Sequence, residues 1–448
     1  MPAPPPAART GLVAAGLVVG MFLAALESTV VATAMRRVVH ELGGERLYAL
    51  PFAFYMLMST VTAPLWGRAS DLVGRRRLYL AGVALFLLGS ALCGAASSMG
   101  FLVAARGVQG LGGGALFTLT FTIIGELYAM ERRAKVQGFI SAVWGLAGLL
   151  GPLVGGLIVD HASWRWVFYL NLPFGLVGAT LVMLGYRDRP AHAGARLDLA
   201  GAALFTLGSA LLVWGLELRD PRWIVPGAIV LAAAFVVETR HPRPLLPLRL
   251  LGRGLPLVAL STGFLAGAAY FGSVAYLPLF AQGVAGTGAA AAGIVLTPMI
   301  VGWTIAAIAG ARLLPGLGVM RLAVWGHALL VAGFLGFALG ALAPLPWLGA
   351  AGFVAGSGMG FAMLALLVGT QEVVPPAELG AVTAALLFAR SLGGALGVAV
   401  MHALIGPVGS AGGRALALGL RRAFVFGLGL VIVALVLVVA MPTAERRR

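Results

Sequence analysis

The chain has 448 residues, of which 60% are hydrophobic and only 10% are charged. Soluble domains are about 45–50% apolar and about 25% charged. So few charges cannot cover a water-soluble surface, and most of the chain must therefore face lipid or other helices. The net charge of +16 does not indicate nucleic-acid binding, because the basic residues form short clusters between apolar runs, which is typical of membrane topology signals.

Fourteen apolar segments approach the length of about 20 residues that a helix needs to cross the hydrocarbon core. Backbone groups in lipid must be hydrogen-bonded within their own segment, so these segments are predicted to be α-helices of an all-α integral membrane protein. The predicted spans are 11–34, 49–66, 78–97, 101–125, 134–159, 166–186, 197–217, 222–238, 255–281, 290–312, 319–341, 346–370, 379–404 and 421–441. Thirteen spans are the alternative, because 222–238 is short and 101–125 could be divided differently.

The distribution of basic residues predicts the orientation of the chain. With the N-terminus inside, the inner loops hold about two thirds of the 31 Lys and Arg residues. Because cytoplasmic loops are enriched in Lys and Arg, both termini are predicted to be cytoplasmic. The first span lacks a clear small-residue cleavage site before it, so we expect it to be retained. The Arg-, Ala- and Gly-rich composition favours a bacterial inner membrane as the location.

The predicted spans divide into six, two and six. The first group lies in 1–190, two linker helices and a Pro- and Arg-rich loop lie in 191–254, and the last group lies in 255–448. The two large groups have a similar hydropathy rhythm. Repeated halves of this kind are typical of secondary transporters, whose substrate site lies between the halves.

An acidic residue and two glycines are embedded in the basic segment GRASDLVGRRR, which follows the second span. Glycine permits a tight turn with positive φ, and Asp71 can accept from helix N-terminal amides or pair with arginines of a neighbouring loop. Topology alone would explain the arginines but not the other residues, so we predict a cytoplasmic gating latch. Its residues are Gly67, Asp71, Gly74, Arg75 and Arg76, with Arg132 and Arg133 in the next inner loop.

This segment closely resembles the G-x-x-x-D-x-x-G-R-[RK]-[RK] signature of the major facilitator superfamily. The resemblance implies two six-helix bundles, here with two additional linker helices, and a transport cycle of alternating access.

Three charged residues, Glu27, Arg106 and Arg390, are predicted to lie within spans, where a charge costs several kcal/mol and is by default functional. Glu27 is in the first span, and Arg106 is in the fourth span with Gln109. Both lie about 10 Å below the outer surface at 1.5 Å per residue, so an ion pair between them is plausible. The alternatives are a structural, hydrogen-bonded Glu27 and an Arg106 that reaches toward the interface.

The pattern R-x-x-Q-G from Arg106 to Gly110 resembles the proton-coupling motif of the superfamily. We therefore predict that a proton, Arg106 and a cationic substrate compete for Glu27, which would couple proton import to export. Tyr55, Gln109 and Tyr276 are further candidates for the substrate cavity.

A glycine- and proline-rich sequence lies in the fifth span. Small residues allow helices to pack closely, and proline removes a backbone hydrogen bond, so ordinary helix packing is one interpretation. The pattern G-P-x-x-G-G, however, resembles the motif that marks the antiporters of the superfamily and implies export. Its residues are Gly151, Pro152, Gly155 and Gly156.

The string W-R-W-x-F-x-x-N-x-P-x-G, from Trp164 to Gly175, resembles the fourteen-span drug:H⁺ antiporter family. Three departures are visible, and the first is that the Asn and Pro which this family carries later in the first span are missing. Glu27 stands where this family usually has Asp, and the second-half copy of the gating signature, Gly310–Gly318, has no Asp. The N-terminal half is therefore predicted to carry the gating chemistry.

The predicted function is a proton-coupled antiporter that exports small amphipathic or cationic organic compounds; a dedicated exporter of one metabolite is the alternative. The predicted partners are the substrate, H⁺ and the lipid bilayer, with no nucleic acid, cofactor or metal, and the predicted state is a monomer.

The chain lacks the Gly-Lys-[Ser/Thr] loop of ATP-driven pumps. Its six histidines are scattered and no catalytic grouping appears, so an enzyme is not predicted. A receptor or scaffold would not need these motifs.

Overall fold

The computed structural model describes residues 10–43, 47, 50–188, 199–218, 220–240, 247–284, 295–340, 344–405 and 413–441. Within these ranges the regular secondary structure is helical. The helices are α1 (Thr10–Leu42), α2 (Leu50–Val73), α3 (Arg75–Gly94), α4 (Met99–Leu127), α5 (Met130–His161), α6 (Trp166–Tyr169), α7 (Asn171–Gly185), α8 (Leu199–Leu218), α9 (Pro221–Arg240), α10 (Leu248–Leu251), α11 (Gly254–Gly283), α12 (Thr297–Leu317), α13 (Val319–Leu339), α14 (Leu345–Val373), α15 (Leu379–Ile405) and α16 (Gly413–Val439). A 3₁₀ turn, Pro376–Glu378, precedes α15.

Every predicted span overlaps a helix, and the sixth is divided between α6 and α7. Among the described residues, ten helical segments are long and apolar enough to cross a membrane. The chain is therefore a multi-pass membrane protein. Helices α2, α5, α8 and α9 are outside these ten, so the count of fourteen crossings stays a prediction.

Several helices extend beyond the predicted spans. Helix α1 continues to Leu42, although the apolar segment was predicted to end at 34. Helix α2 runs to Val73, so Gly67 and Asp71 lie on its last two turns and the prediction of a loop there was wrong. Hydropathy marks the part of a helix that faces lipid, whereas the hydrogen-bonded helix continues into the polar region.

The helices pack in two groups. In the first, α1 packs against α5 and α7, and α4 packs against α2 and α3. In the second, α11 packs against α15 and α16, and α14 packs against α12 and α13. The two most extensive contacts between the groups pair α5 with α12 and α2 with α15.

Glycines allow the close approach of α5 to α12. A Cβ atom at Gly138 would lie 2.8 Å from the carbonyl oxygen of Ala307, and one at Gly145 would lie 2.5 Å from the Thr304 hydroxyl. Helices α8 and α9 pack together, and α8 also contacts α2 and α15. The Phe205 ring of α8 lies 5.0 Å from the Phe388 ring of α15. The domain boundaries at 190 and 254 stay predictions.

Candidate functional site

A buried ion pair lies at the centre of the first helix group. Glu27 of α1 and Arg106 of α4 are 2% and 1% exposed. The Arg106 guanidinium donates through Nη1 to Glu27 Oε1 and, over 2.6 Å, to Gln109 Oε1. The structure thus contains the ion pair that the sequence predicted, and it excludes an Arg106 that extends toward the interface.

A second set of hydrogen bonds surrounds the Glu27 carboxylate. Asn171 of α7 donates through Nδ2 to Glu27 Oε2 at 2.6 Å and to Ser90 Oγ at 2.9 Å. Gln109 Nε2 also donates to Ser90 Oγ, over 3.2 Å, and Ser90 donates to the Phe168 carbonyl over 2.8 Å. Four helices, α1, α3, α4 and α7, therefore contribute to one buried polar network.

Sequence reasoning assigned no role to Asn171 or Ser90. Asn171 was visible in the motif from Trp164 to Gly175, and an amide among the apolar residues of α7 is a usable signal, since buried polar groups need partners. A serine among the small residues of α3 gives no such signal.

The other side of Arg106 is covered by α2. The Arg106 guanidinium carbon lies 4.3 Å from the centre of the Tyr55 ring, which is a cation–π arrangement. Arg106 Nε donates to the Pro51 carbonyl over 3.2 Å. A Cβ at Gly113 would lie 2.7 Å from the Tyr55 hydroxyl, so glycine at this position lets α2 and α4 approach. Tyr55 therefore contacts Arg106, and its predicted part in the substrate cavity stays a prediction.

Tyr276 is elsewhere. Its hydroxyl donates to the Val398 carbonyl over 3.2 Å, and its ring lies 6.1 Å from that of His402. These contacts place Tyr276 between α11 and α15, in the hydrophobic core of the second helix group. Tyr276 thus belongs to the second helix group, and its predicted part in the substrate cavity stays a prediction.

The predicted gating motif joins the two helix groups. Asp71 Oδ1 and Oδ2 accept from the backbone amides of Gly380 and Ala381, each over 3.0 Å. A carboxylate at the start of α15 satisfies helix N-terminal amides and interacts favourably with the helix dipole. A Cβ at Gly67 would lie 2.4 Å from the Gly380 carbonyl oxygen, so this contact of α2 with α15 requires a glycine.

Arginines of the same motif extend the contact. Arg75 donates to Asp71 Oδ1 over 3.1 Å, to the Pro376 carbonyl over 2.9 Å, and to Glu126. Arg68 Nη1 lies 2.8 Å from Glu378 Oε2.

Gly74 forms the turn between α2 and α3, and its φ of 114° favours glycine. The Asp188 carboxylate closes this turn. Asp188 Oδ1 accepts from the Arg76 amide at 2.7 Å, and a Cβ at Gly74 would lie 2.8 Å from Asp188 Oδ2.

The suggested pairing of Asp71 with Arg132 or Arg133 was wrong. Arg133 Nη1 lies 3.1 Å from Glu372 Oε2, and the Arg132 guanidinium carbon lies 5.4 Å from the centre of the Tyr128 ring. Backbone amides of a distant helix satisfy Asp71 instead. Arg133 still contributes to the same inter-group contact, since Glu372 is on α14.

The predicted antiporter motif lies within α5, which is helical from Met130 to His161. Gly151 and Gly155 are buried. The surroundings of Pro152 and Gly156 lie outside the described residues. The antiporter assignment of this motif stays a prediction.

Sequence comparison identifies the family. The Major Facilitator Superfamily model matches residues 17–398. The chain belongs to the major facilitator superfamily. It is 34% identical to the multidrug transporter protein MdtP of Bacillus subtilis, over 88% of this chain and 75% of that protein. It is 32% identical to multidrug resistance protein 3 of the same organism, over 88% of this chain and 79% of that protein.

The fold also agrees with this membership. The structure of the human organic anion transporter MFSD10 superimposes with a TM-score of 0.74 at 19% identity, and covers 97% of this chain and 100% of that one. Membership of this family shows that the chain is a membrane transporter. The family and these relatives confirm the prediction that the chain is not an enzyme.

Proposed function

We propose that this transporter is a proton-coupled antiporter of the fourteen-span drug:H⁺ branch, and that it exports small amphipathic organic compounds. The observation that carries the proposal is the Glu27 carboxylate, buried at 2% exposure and bound by Arg106 and Asn171. It can gain or lose a proton within the membrane. The printed names of the relatives, multidrug transporters, support an organic cargo of varied structure.

Protonation of Glu27 would remove the charge that holds Arg106. An ion pair in an apolar environment is strong only while both partners are charged, because an isolated buried charge is costly. Arg106 would then rely on Gln109, the Pro51 carbonyl and the Tyr55 ring. A proton on Glu27 therefore changes the contacts that α4 makes with α2.

Helix α2 connects this change to the gate. Pro51 and Tyr55 lie near its beginning, and Arg68 and Asp71 lie near its end, where they bind Glu378 and the first amides of α15. The 24 residues of α2 span about 36 Å. We propose that a shift of α2 after proton exchange releases or restores the contact of Asp71 with α15, and so alternates access between the two sides.

In this proposal both termini and the Asp71 gate are cytoplasmic. The transporter works as a monomer, and because the proton gradient drives it, it needs no cofactor. In the present conformation, Asp71 with Gly380, Arg68 with Glu378 and Arg133 with Glu372 hold the two groups together at the gate. In this proposal the cytoplasmic side is closed in this conformation.

Everted membrane vesicles energised by respiration provide the test. A panel of cationic, neutral and acidic dyes and antibiotics is added, and release of protons from the lumen is followed with a pH-sensitive dye. We expect several compounds to release protons, and an uncoupler to abolish their accumulation. Release by one compound alone would favour a dedicated exporter, and accumulation that an uncoupler does not affect would contradict proton coupling.

A further inference from the structure

A second arginine lies deep in the membrane and has no role in the mechanism above. Arg390 is eleven residues after the start of the 27-residue helix α15, which places it about 17 Å along a helix of about 40 Å. It is therefore near the middle of the bilayer. A charge at this depth is costly, and such residues usually face a partner or a cavity that takes part in transport.

Arg390 lies where the two helix groups meet. Its guanidinium carbon is 5.8 Å from the centre of the Phe117 ring on α4 and 6.0 Å from that of Trp303 on α12. One aromatic ring thus comes from each group. Transporters built from two repeats bind substrate near the midplane between the repeats, which is the position that Arg390 occupies.

The charge of Arg390 is not balanced. Within the described part of the chain, Arg390 has no hydrogen-bond or ion-pair partner, and its Nε is a buried donor without an acceptor. Arg106, in contrast, faces the Glu27 carboxylate. The Glu27–Arg106 pair is neutral as a unit, so Arg390 contributes one uncompensated positive charge to the interior.

Arg390 also lines a cavity. The cavity has a volume of about 30 Å³ and its other walls come from α11, α14 and α15, with Gly263 and Met363 among them. No heavy atom lies within 4 Å of a Cβ built at Gly263, so this wall leaves open space. The volume accommodates a water molecule or the head group of a small acid, whereas a whole organic ligand needs about 300 Å³ or more.

The position of Arg390 is fixed by close helix packing. A Cβ at Gly267 of α11 would lie 2.4 Å from the Arg390 carbonyl oxygen, and one at Gly393 would lie 2.1 Å from the Phe264 carbonyl oxygen. The backbones of α11 and α15 therefore touch on both sides of Arg390. The backbone at Arg390 is held in a defined place, so its guanidinium can bind a ligand without reordering the helix.

We propose that Arg390 binds an acidic group of the exported compound, so that the substrates include organic acids or zwitterions. A guanidinium presents a planar fork of donors that matches a carboxylate, sulfonate or phosphate. The acidic group would enter the small cavity, and the apolar body of the compound would lie against Phe117 and Trp303 in the space between the groups. This inference rests on the proposed export function for its physiological meaning, but the binding itself requires no proton gradient.

The test compares two ligands of similar size, 2-naphthoate and 2-naphthalenemethanol, which differ in charge at neutral pH. Their affinities for the detergent-purified full chain are measured by calorimetry. The variants are Arg390→Met, Arg390→Lys and, as a matched control, Arg321→Met, since Arg321 is exposed at the start of α13.

We expect the wild-type chain to prefer 2-naphthoate, and Arg390→Met to bind it about ten- to hundredfold more weakly, with an unchanged affinity for the alcohol. This range follows from the usual strength of a hydrogen bond to a charged group. Arg390→Lys should lie between the two, because a point charge replaces the fork, and Arg321→Met should match the wild type.

Equal wild-type affinity for the two ligands would overturn the proposal. Chloride that abolishes naphthoate binding at a concentration equal to that of the naphthoate would also overturn it. An Arg390→Met chain that does not fold would show a structural role and would also count against it. Arg390→Lys then gives a second reading, and a lysine variant without preference for the acid overturns the inference. If naphthoate binding depends on Arg390 but vesicles show no uncoupler-sensitive export, the site stands and the proposed function fails.

Discussion

Two arginines within the membrane-spanning helices of this transporter have opposite surroundings. Arg106 is paired with Glu27, hydrogen-bonded to Gln109 and the Pro51 carbonyl, and stacked on Tyr55. Arg390 lies between two aromatic rings with no carboxylate against it among the described residues. A proton on Glu27 would remove the negative charge that faces Arg106. The Arg390 guanidinium, in contrast, is available to an anionic ligand. This difference is the basis of the proposed division, with proton exchange at Glu27 in the first helix group and substrate recognition at Arg390 in the second.

Of the variants considered, the replacement of Glu27 should cause the largest loss of stability. Replacing Glu27 by Ala leaves Arg106 buried without its counter-charge, and breaking a buried pair in this way costs about 3–5 kcal/mol. We expect a marked drop in the thermal unfolding temperature of the purified protein. Arg390→Met should not lower it, because that variant removes a charge that has no partner.

The double variant Glu27→Ala with Arg106→Met provides the control. It removes both charges and should recover much of the lost stability. A double variant that is less stable than Glu27→Ala alone would show that Arg106 is held by its other contacts, and that the pair is not what distinguishes it from Arg390.

A smaller loss is expected at Asn171. The Asn171 amide donates to the Glu27 carboxylate at 2.6 Å, and hydrogen bonds to charged groups contribute about 1.5–3 kcal/mol. Asn171→Ala should lower the stability by about this amount and weaken proton-driven transport. Thr180→Ala serves as the matched control on the same helix, because Thr180 is exposed and its hydroxyl donates to the Leu176 carbonyl one turn earlier. Equal effects of the two changes would separate Asn171 from the site.

The smallest effect is expected at the gate. Asp71→Ala removes the acceptor for the first amides of α15, and the loss of such a cap costs about 0.5–2 kcal/mol. The equilibrium should shift toward the conformation open at this end by about two- to thirtyfold. The reporter is a cysteine at Ala384, which is buried against Gly67, in a Cys93→Ser background.

The rate of maleimide labelling at this cysteine should rise by the same factor. Arg77→Ala is the control, because Arg77 belongs to the same basic run and is exposed. An unchanged labelling rate in Asp71→Ala would show that the contact with α15 does not hold the gate closed.

The sequence was sufficient to predict the ion pair. Glu27 and Arg106 stand out because charges are rare in apolar spans, and counting residues along two helices gives the same depth for both. The same arithmetic could not identify Ser90 or Asn171, because depth alone does not tell which faces of four helices converge. The sequence also gave no sign that Arg390 lacks a partner, since that depends on what surrounds it.

The partner of Asp71 shows a second limit. Its acceptor groups bind backbone amides of Gly380 and Ala381, more than 300 residues away in the chain. Every residue has an amide, so no side-chain pattern marks these two. The turn at Gly318 shows the converse case. Its φ of 77° is positive, like the 114° of Gly74 in the N-terminal counterpart, although the acidic residue is missing, so the turn does not depend on that carboxylate.

The central claim is that Glu27 exchanges a proton for cargo, and transport in proteoliposomes tests it most directly. Glu27→Gln is compared with Glu41→Gln, a change to an exposed carboxylate later in the same helix. Two rates are measured for one exported compound: accumulation driven by a pH gradient, and exchange of labelled for unlabelled compound with no gradient. We predict that Glu27→Gln loses the first and keeps the second, whereas Glu41→Gln keeps both. Gradient-driven accumulation at the wild-type rate in Glu27→Gln would contradict the account.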